Sequence, residues 1–85
     1  VQLTKSMAVE LAPHNIRVNC VSPGYIANEL NTGFGPEVQG WIDRTPQKRM
    51  GTAQELCGAY LYLASAASSY ATGTEIIIDG GYTLA

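Results

Sequence analysis

Ile16-Arg17-Val18-Asn19-Cys20-Val21-Ser22-Pro23-Gly24 alternates in character: Ile16, Val18, Cys20 and Ser22 fall on one side, and Arg17, Asn19 and Val21 on the other. The β-branched content and the flanking turn residues predict a strand over 16–22. Pro23 has no amide hydrogen for a ladder and Gly24 permits a sharp turn, so the strand stops there. Upstream, Val1, Leu3/Thr4, Met7/Ala8 and Leu11 recur at helical spacing, with Lys5 and Glu10 on the other side. The spacing predicts a helix over 1–12, and Pro13-His14-Asn15 reads as the loop out of it. No capping residue stands before Val1, so the helix is expected to start upstream and the domain to be incomplete.

Downstream, Gly33, Gly35, Gly40 and Gly51 with Pro36 and Pro46 interrupt residues 25–51. A segment of this length and composition inside a small unit reads as a lid or binding loop. Pro36 to Asp43 suits a short helix with Pro in its first turn, and a second piece near Ile26 to Asn31 is open. Thr52-Ala53-Gln54-Glu55 has capping-box spacing, and Leu56, Ala59/Tyr60, Leu63 and Ala64 continue it as a helix to about Ser65. Ala66 to Ser69 is a connection of small residues, and Thr72-Gly73 reads as a turn. Thr74 to Asp79 is an apolar strand closed by Gly80-Gly81. Its three isoleucines suggest burial on both faces, as in a parallel sheet covered by helices.

The order is helix, strand, lid, helix, strand. Two strands joined through a helix form a crossover expected to be parallel and right-handed. The fold class is therefore α/β. Two strands and two main helices are too few for a covered sheet, so further strands are expected.

Composition narrows the function. The 85 residues are 46% hydrophobic and 14% charged, too apolar for a disordered chain and short enough for one small domain with a marginal core. A net charge of −2 with five scattered Lys/Arg disfavours nucleic acid as a partner. No apolar run approaches the ~20 residues of a membrane span, and no basic-then-apolar leader is visible. A soluble, cytoplasmic protein is the expectation. Cys20 and Cys57 read as buried reduced thiols, and with one His they offer no metal site of usual spacing.

Leu3 to Ala12 followed by Ile16 to Gly24 resembles the region after the active-site Tyr-x-x-x-Lys of short-chain dehydrogenase/reductases. Arg49-Met50-Gly51-Thr52-Ala53-Gln54-Glu55-Leu56 running into Tyr62-Leu63-Ala64-Ser65 is similar to their Arg-x-Gly-x-x-x-Glu…Leu-Ala-Ser segment. Tyr70 to Tyr82 is similar to their last core strand. The resemblance covers the whole chain in order. Ser22 to Ile26, Gly58 to Leu61 and Asp79 to Leu84 look most like the fungal NADP-dependent mannitol dehydrogenases and sorbose-type reductases of that family.

The resemblance implies the C-terminal part of a single Rossmann-type domain, a doubly wound parallel sheet, with residues 25–51 as substrate lid. It implies NADP as cofactor, with NAD open, a polyol or ketone as substrate, and a homo-oligomer, a tetramer in relatives. The glycine loop, the catalytic Ser and the Tyr-x-x-x-Lys are expected before Val1, so no catalytic residue is expected within the chain. Lys5 is not that lysine, because position 1 is Val and not Tyr. In the complete enzyme the Tyr would exchange the proton at the carbonyl or alcohol, the Lys would lower its pKa, and the cofactor would carry the hydride.

Ligands of open parallel sheets sit beyond the carboxyl ends of the strands. Pro23 and Gly24 hold such a position, where Gly24 lets the chain approach a flat ring. The resemblance adds backbone groups of Ile26 and the side chain at position 28, usually Thr and here Asn28, whose amide still donates and accepts. Without the resemblance, Pro23-Gly24 simply ends a strand. Tyr25 has two readings, a phenol over the substrate or packing under the lid. Trp41 likewise anchors the lid or touches substrate. His14 reads as a surface residue. Arg44, Lys48 and Arg49 read as a solvated face more than a phosphate site. Tyr60, Tyr62 and Tyr70 suit an interface or the monomer core equally. The alternative function is a non-catalytic oligomerisation module of the same fold.

Overall fold

The computed structural model describes residues 1–27 and 35–84. Its elements follow the expected order: α1 (Gln2–Leu11), β1 (Cys20–Pro23), α2 (Gly35–Arg44), α3 (Gln54–Ala64) and β2 (Glu75–Ile78). Short 3-10 turns occupy Ala12–His14, Ala66–Ser68 and Tyr82–Leu84. The strands form a two-stranded sheet. Cys20 N–H donates to Thr74 O and Gly24 N–H to Ile78 O, both at 2.9 Å, and the constant offset makes the pair parallel.

The chain divides into two compact units: Val1–Ser22 with Gly58–Ile76, and Pro23–Cys57 with Ile77–Ala85. In the first, α1 turns Thr4, Ala8 and Leu11 inward. Ala8 is 3% exposed, and a Cβ added at Gly73 would lie 3.5 Å from its methyl. Val1, Leu3 and Met7, expected on the same buried stripe, are exposed, because the surface offered to α1 is confined to its Ala8 turn. Asn15 ends the following 3-10 turn in the left-handed region, at φ 60°. His14 is exposed, as the sequence reads.

The strand predicted over 16–22 starts later, at Cys20. Before it a single backbone bond, Gly73 N–H to Val18 O at 2.7 Å, is supplemented by side chains. Arg17 Nη1 donates to Ser68 O at 2.9 Å and Ser68 Oγ at 2.8 Å, and Nη2 to Leu63 O at 3.2 Å. Asn19 Nδ2 donates to Ala71 O, and its Oδ1 accepts from Thr74 N–H, each at 3.0 Å. Arg17 thus satisfies the Leu63 carbonyl at the end of α3, which the helix itself cannot. Ser68, at the focus of this network, is 1% exposed.

The period-3.6 stripe of α3 is observed, with Leu56, Ala59 and Leu63 half-buried while Tyr60 and Ala64 are exposed. Both cysteines are free, but neither is buried: Cys20 is half-buried, and Cys57 is exposed since it stands one residue after Leu56 and so about 100° off the stripe. Ile77 is 50% exposed between half-buried Ile76 and Ile78, so the expected cover on both faces of β2 is not met within these residues.

In the second unit, α2 opens at Gly35 with Pro36 and Glu37 in its first turn, as the sequence predicts. The N-terminus of α3 carries one half of the expected capping box: Thr52 N–H donates to Glu55 Oε1 at 3.0 Å. Asn28 and most of the open piece near Ile26 to Asn31 lie outside the described residues.

Candidate functional site

The site lies within the second unit, at the carboxyl ends of both strands. Pro23 is exposed and closes β1. Gly24 packs so tightly on the end of β2 that an added Cβ would stand 2.7 Å from both Cα and Cβ of Asp79. The close approach seen at this glycine is to the neighbouring strand.

Beyond Gly24 the chain makes an isolated parallel bridge between Ile26 and Gly51. Gly51 N–H donates to Tyr25 O at 3.0 Å, and Ala27 N–H donates to Gly51 O at 2.9 Å. The bridge is made by groups flanking Ile26, so the N–H and C=O of Ile26 itself are directed away from Gly51.

Tyr25 and Trp41 are brought together. Their rings stack at 4.4 Å between centroids and 6° between planes. The edge contact comes from Tyr82, 5.2 Å from Tyr25 at 78°. A hydrogen bond with the Tyr82 hydroxyl pushes the Tyr25 phenol above its usual value, and removal from water adds to this, while Arg44 opposes it. The stack ties α2 to the loop after β1 through Trp41 and Tyr25.

The end of α2 is fastened next to this stack. Thr45, 4% exposed, donates its hydroxyl to Trp41 O at 2.7 Å, and Gln47 N–H donates to Gly80 O at 3.1 Å. Gly80 and Gly81 sit at φ 64° and 91°, where side chains are strained. Added Cβ atoms there would come within 2.8 Å of Thr45 and 2.9 Å of Pro46. Asp79 orders the turn by accepting from Gly81 N–H at 2.9 Å and Thr83 N–H at 3.1 Å. The Thr83 side chain and these amides hold its carboxyl below the usual range.

A cleft of about 90 Å³ lies here, bordered by Tyr25, Ile26, Arg49, Glu55 and Asp79 among others. Arg49 is spent on Glu55: Nη1 reaches Oε1 at 2.7 Å and Nη2 reaches Oε2 at 2.8 Å. The guanidinium, followed by the Thr52 amide, drops the Glu55 carboxyl to about 2, and Glu55 raises Arg49 in turn. Lys48 donates to Asp43 O. The positive cluster read from sequence is thus largely consumed by local partners.

Among the described residues, no group of three or more His, Cys, Asp and Glu is placed to hold a metal, and no helix is long and apolar enough to cross a membrane. Sequence reasoning missed Tyr82 as a site residue. It follows Asp79-Gly80-Gly81, and an aromatic just past a double-glycine turn is the signal that was present.

Residues 1–83 match a family model described as enoyl-(acyl carrier protein) reductase. Sorbose reductase of Candida albicans is 52% identical over 82 residues, covering 95% of this chain and 29% of that protein. The crystal structure of a short-chain type dehydrogenase/reductase from Mycobacterium marinum is 61% identical with a TM-score of 0.91, covering 99% of this chain and 33% of that one. A gluconate 5-dehydrogenase from Burkholderia cenocepacia, solved with NADP and tartrate, is 40% identical with a TM-score of 0.91, covering 99% and 34%. The chain thus spans a third or less of the length of the first two and about a third of the last, and its α/β fold is part of their Rossmann-type fold.

Proposed function

Because the chain belongs to the short-chain dehydrogenase/reductase family, we propose that it serves an NADP(H)-dependent oxidoreductase that interconverts a sugar alcohol and a keto sugar, of the mannitol/fructose or sorbose type. The likeness to a sorbose reductase supports the substrate class, and the likeness to a gluconate dehydrogenase solved with NADP supports the cofactor. The observation that carries the reading is the bridged Gly24–Ala27 loop at the carboxyl end of β1, with the Tyr25–Trp41 stack beside it.

The nicotinamide cofactor, when bound, supplies or accepts the hydride. This chain's residues bind and orient. Gly24, by lacking a side chain, lets the end of β1 close against Asp79 and so sets where the following loop begins. Ile26 offers its N–H and C=O to the carboxamide, and Pro23 fixes the start of that loop. Asn28, outside the described residues, offers an amide where relatives carry a hydroxyl. Segment 25–51 acts as the lid: α2, held by Trp41 on Tyr25, excludes water from the substrate side. The groups that move the proton belong to the part of the relatives that this chain does not cover.

The complete protein is expected to be a cytoplasmic homo-oligomer, a tetramer, and Tyr60, Leu61 and Ile77 supply exposed apolar surface for it. The same surface favours a second reading, a non-catalytic interaction module. Turnover separates them. The complete protein should oxidise NADPH faster than NADH when given sorbose or fructose, and reduce NADP with mannitol. No nicotinamide-dependent turnover with any polyol or ketone overturns the enzyme reading.

A further inference from the structure

Among the described residues, the bridge that orients Ile26 consists of two hydrogen bonds with no continuing ladder, a weak restraint by itself. What stands behind Gly51 is a closed ring of polar contacts. The Arg49 fork meets both oxygens of Glu55, and Nη1 also reaches Met50 O at 3.3 Å. Glu55 Oε1 takes the Thr52 amide at 3.0 Å and the Thr52 hydroxyl at 3.4 Å. One carboxylate therefore ties residues 49, 52 and 55 together around Gly51. A Cβ placed on Gly51 would lie 3.0 Å from Ile26 Cδ1 and 3.9 Å from Glu55 Oε1, so the Ile26 side chain and the ion pair both crowd the side-chain face of Gly51.

We propose that Arg49 and Glu55 are a positioning pair that holds Gly51 in the bridge and so fixes the Ile26 backbone for the nicotinamide cofactor. The proposal rests on the cofactor reading above. Both side chains are substantially exposed, 51% and 42%. An ion pair in that setting contributes little to global stability. Its bidentate geometry nevertheless restricts where residues 49–55 can go. Removing it should change cofactor affinity more than melting temperature, and a single ammonium should replace the planar fork only in part.

The test uses the complete protein with Arg49→Ala, Glu55→Gln and Arg49→Lys. It measures NADPH and NADH affinity by fluorescence, steady-state kinetics, and amide exchange at Ala27 and Gly51 without cofactor. The expected result for R49A and E55Q is exchange faster by about tenfold, a cofactor dissociation constant raised about tenfold, and kcat within about twofold, with R49K intermediate. Unchanged exchange and affinity in folded R49A and E55Q overturn the proposal. So does faster exchange with unchanged affinity, which would leave the pair purely structural. If the unsubstituted protein binds neither NADPH nor NADH, the proposed function fails first, a result seen before any variant is made, and the pair then has no cofactor to position.

Discussion

Gly24 and Gly51 are both crowded, but by different atoms. A methyl at Gly24 would meet the backbone Cα of Asp79 at 2.7 Å, and no rotamer change relieves that. A methyl at Gly51 would meet the far end of the Ile26 side chain at 3.0 Å, which can turn aside. Gly24→Ala should destabilise the complete protein by about 1–3 kcal/mol, the range for overpacking, and Gly51→Ala by clearly less. Thermal denaturation of the two variants checks the order, and an equal loss contradicts it. Glu55 gives a pH dependence of known sign. Its carboxyl ionises at about 2 in the folded chain against an ordinary 4.5, so it is depressed by folding. The stability it contributes is present above pH 4.5 and is lost as pH falls through about 2. A carboxyl titration of Glu55 by NMR should show the low midpoint, and Glu55→Gln should flatten the melting temperature over that acid window.

At the scale of elements, α2 is held at its end by matched pieces: Thr45 and Pro46 fit over Gly80 and Gly81, and Trp41 stacks on Tyr25. Tyr82, from the 3-10 turn after β2, contacts the same tyrosine from the edge. Tyr82→Phe keeps the ring and removes the hydroxyl. The Tyr25 phenol should then titrate closer to its ordinary value of 10, since the shared hydrogen bond is the largest cause of its rise. An NMR titration of Tyr25 reads this directly, and an unmoved midpoint removes Tyr82 from the site. The elements themselves were largely legible. The helical period located α1 and α3, Pro36 located the start of α2, and Thr52-x-x-Glu55 located the cap of α3. The start of β1 was not legible, because Arg17 and Asn19 keep the alternation of a strand while their side chains, beside one backbone bond at Val18, make most of the contacts there.

For the whole chain the governing quantity is surface. A folded monomer of this size is expected to expose about 4,900 Å², whereas these 85 residues expose 5966 Å². Among the described residues Ala8 is the buried hydrophobic core, and Leu3, Val9 and Leu61 are each at least 70% exposed. The 85-residue chain by itself should melt broadly and bind a hydrophobic dye at neutral pH. Calorimetry and dye fluorescence check this, and a sharp two-state transition without dye binding contradicts it. The same surface explains why Cys57 and Ile77 were misplaced: apolar character signals that a side chain belongs in some core, not that these residues supply it.

The sequence by itself determined the order and type of the elements, the stops at Pro23-Gly24 and Gly80-Gly81, and the neighbourhood of the site. These depend on periodicity, caps and turn residues within a few positions of one another. Only the tertiary structure decided that Gly24 is required by Asp79, that Tyr25 is stacked by Trp41 and edged by Tyr82, and that Arg17 closes the end of α3. Those pairings join residues 16 to 57 positions apart along the chain. Nothing local in a sequence encodes which of many chemically suitable partners the packing of strands and helices will bring within reach.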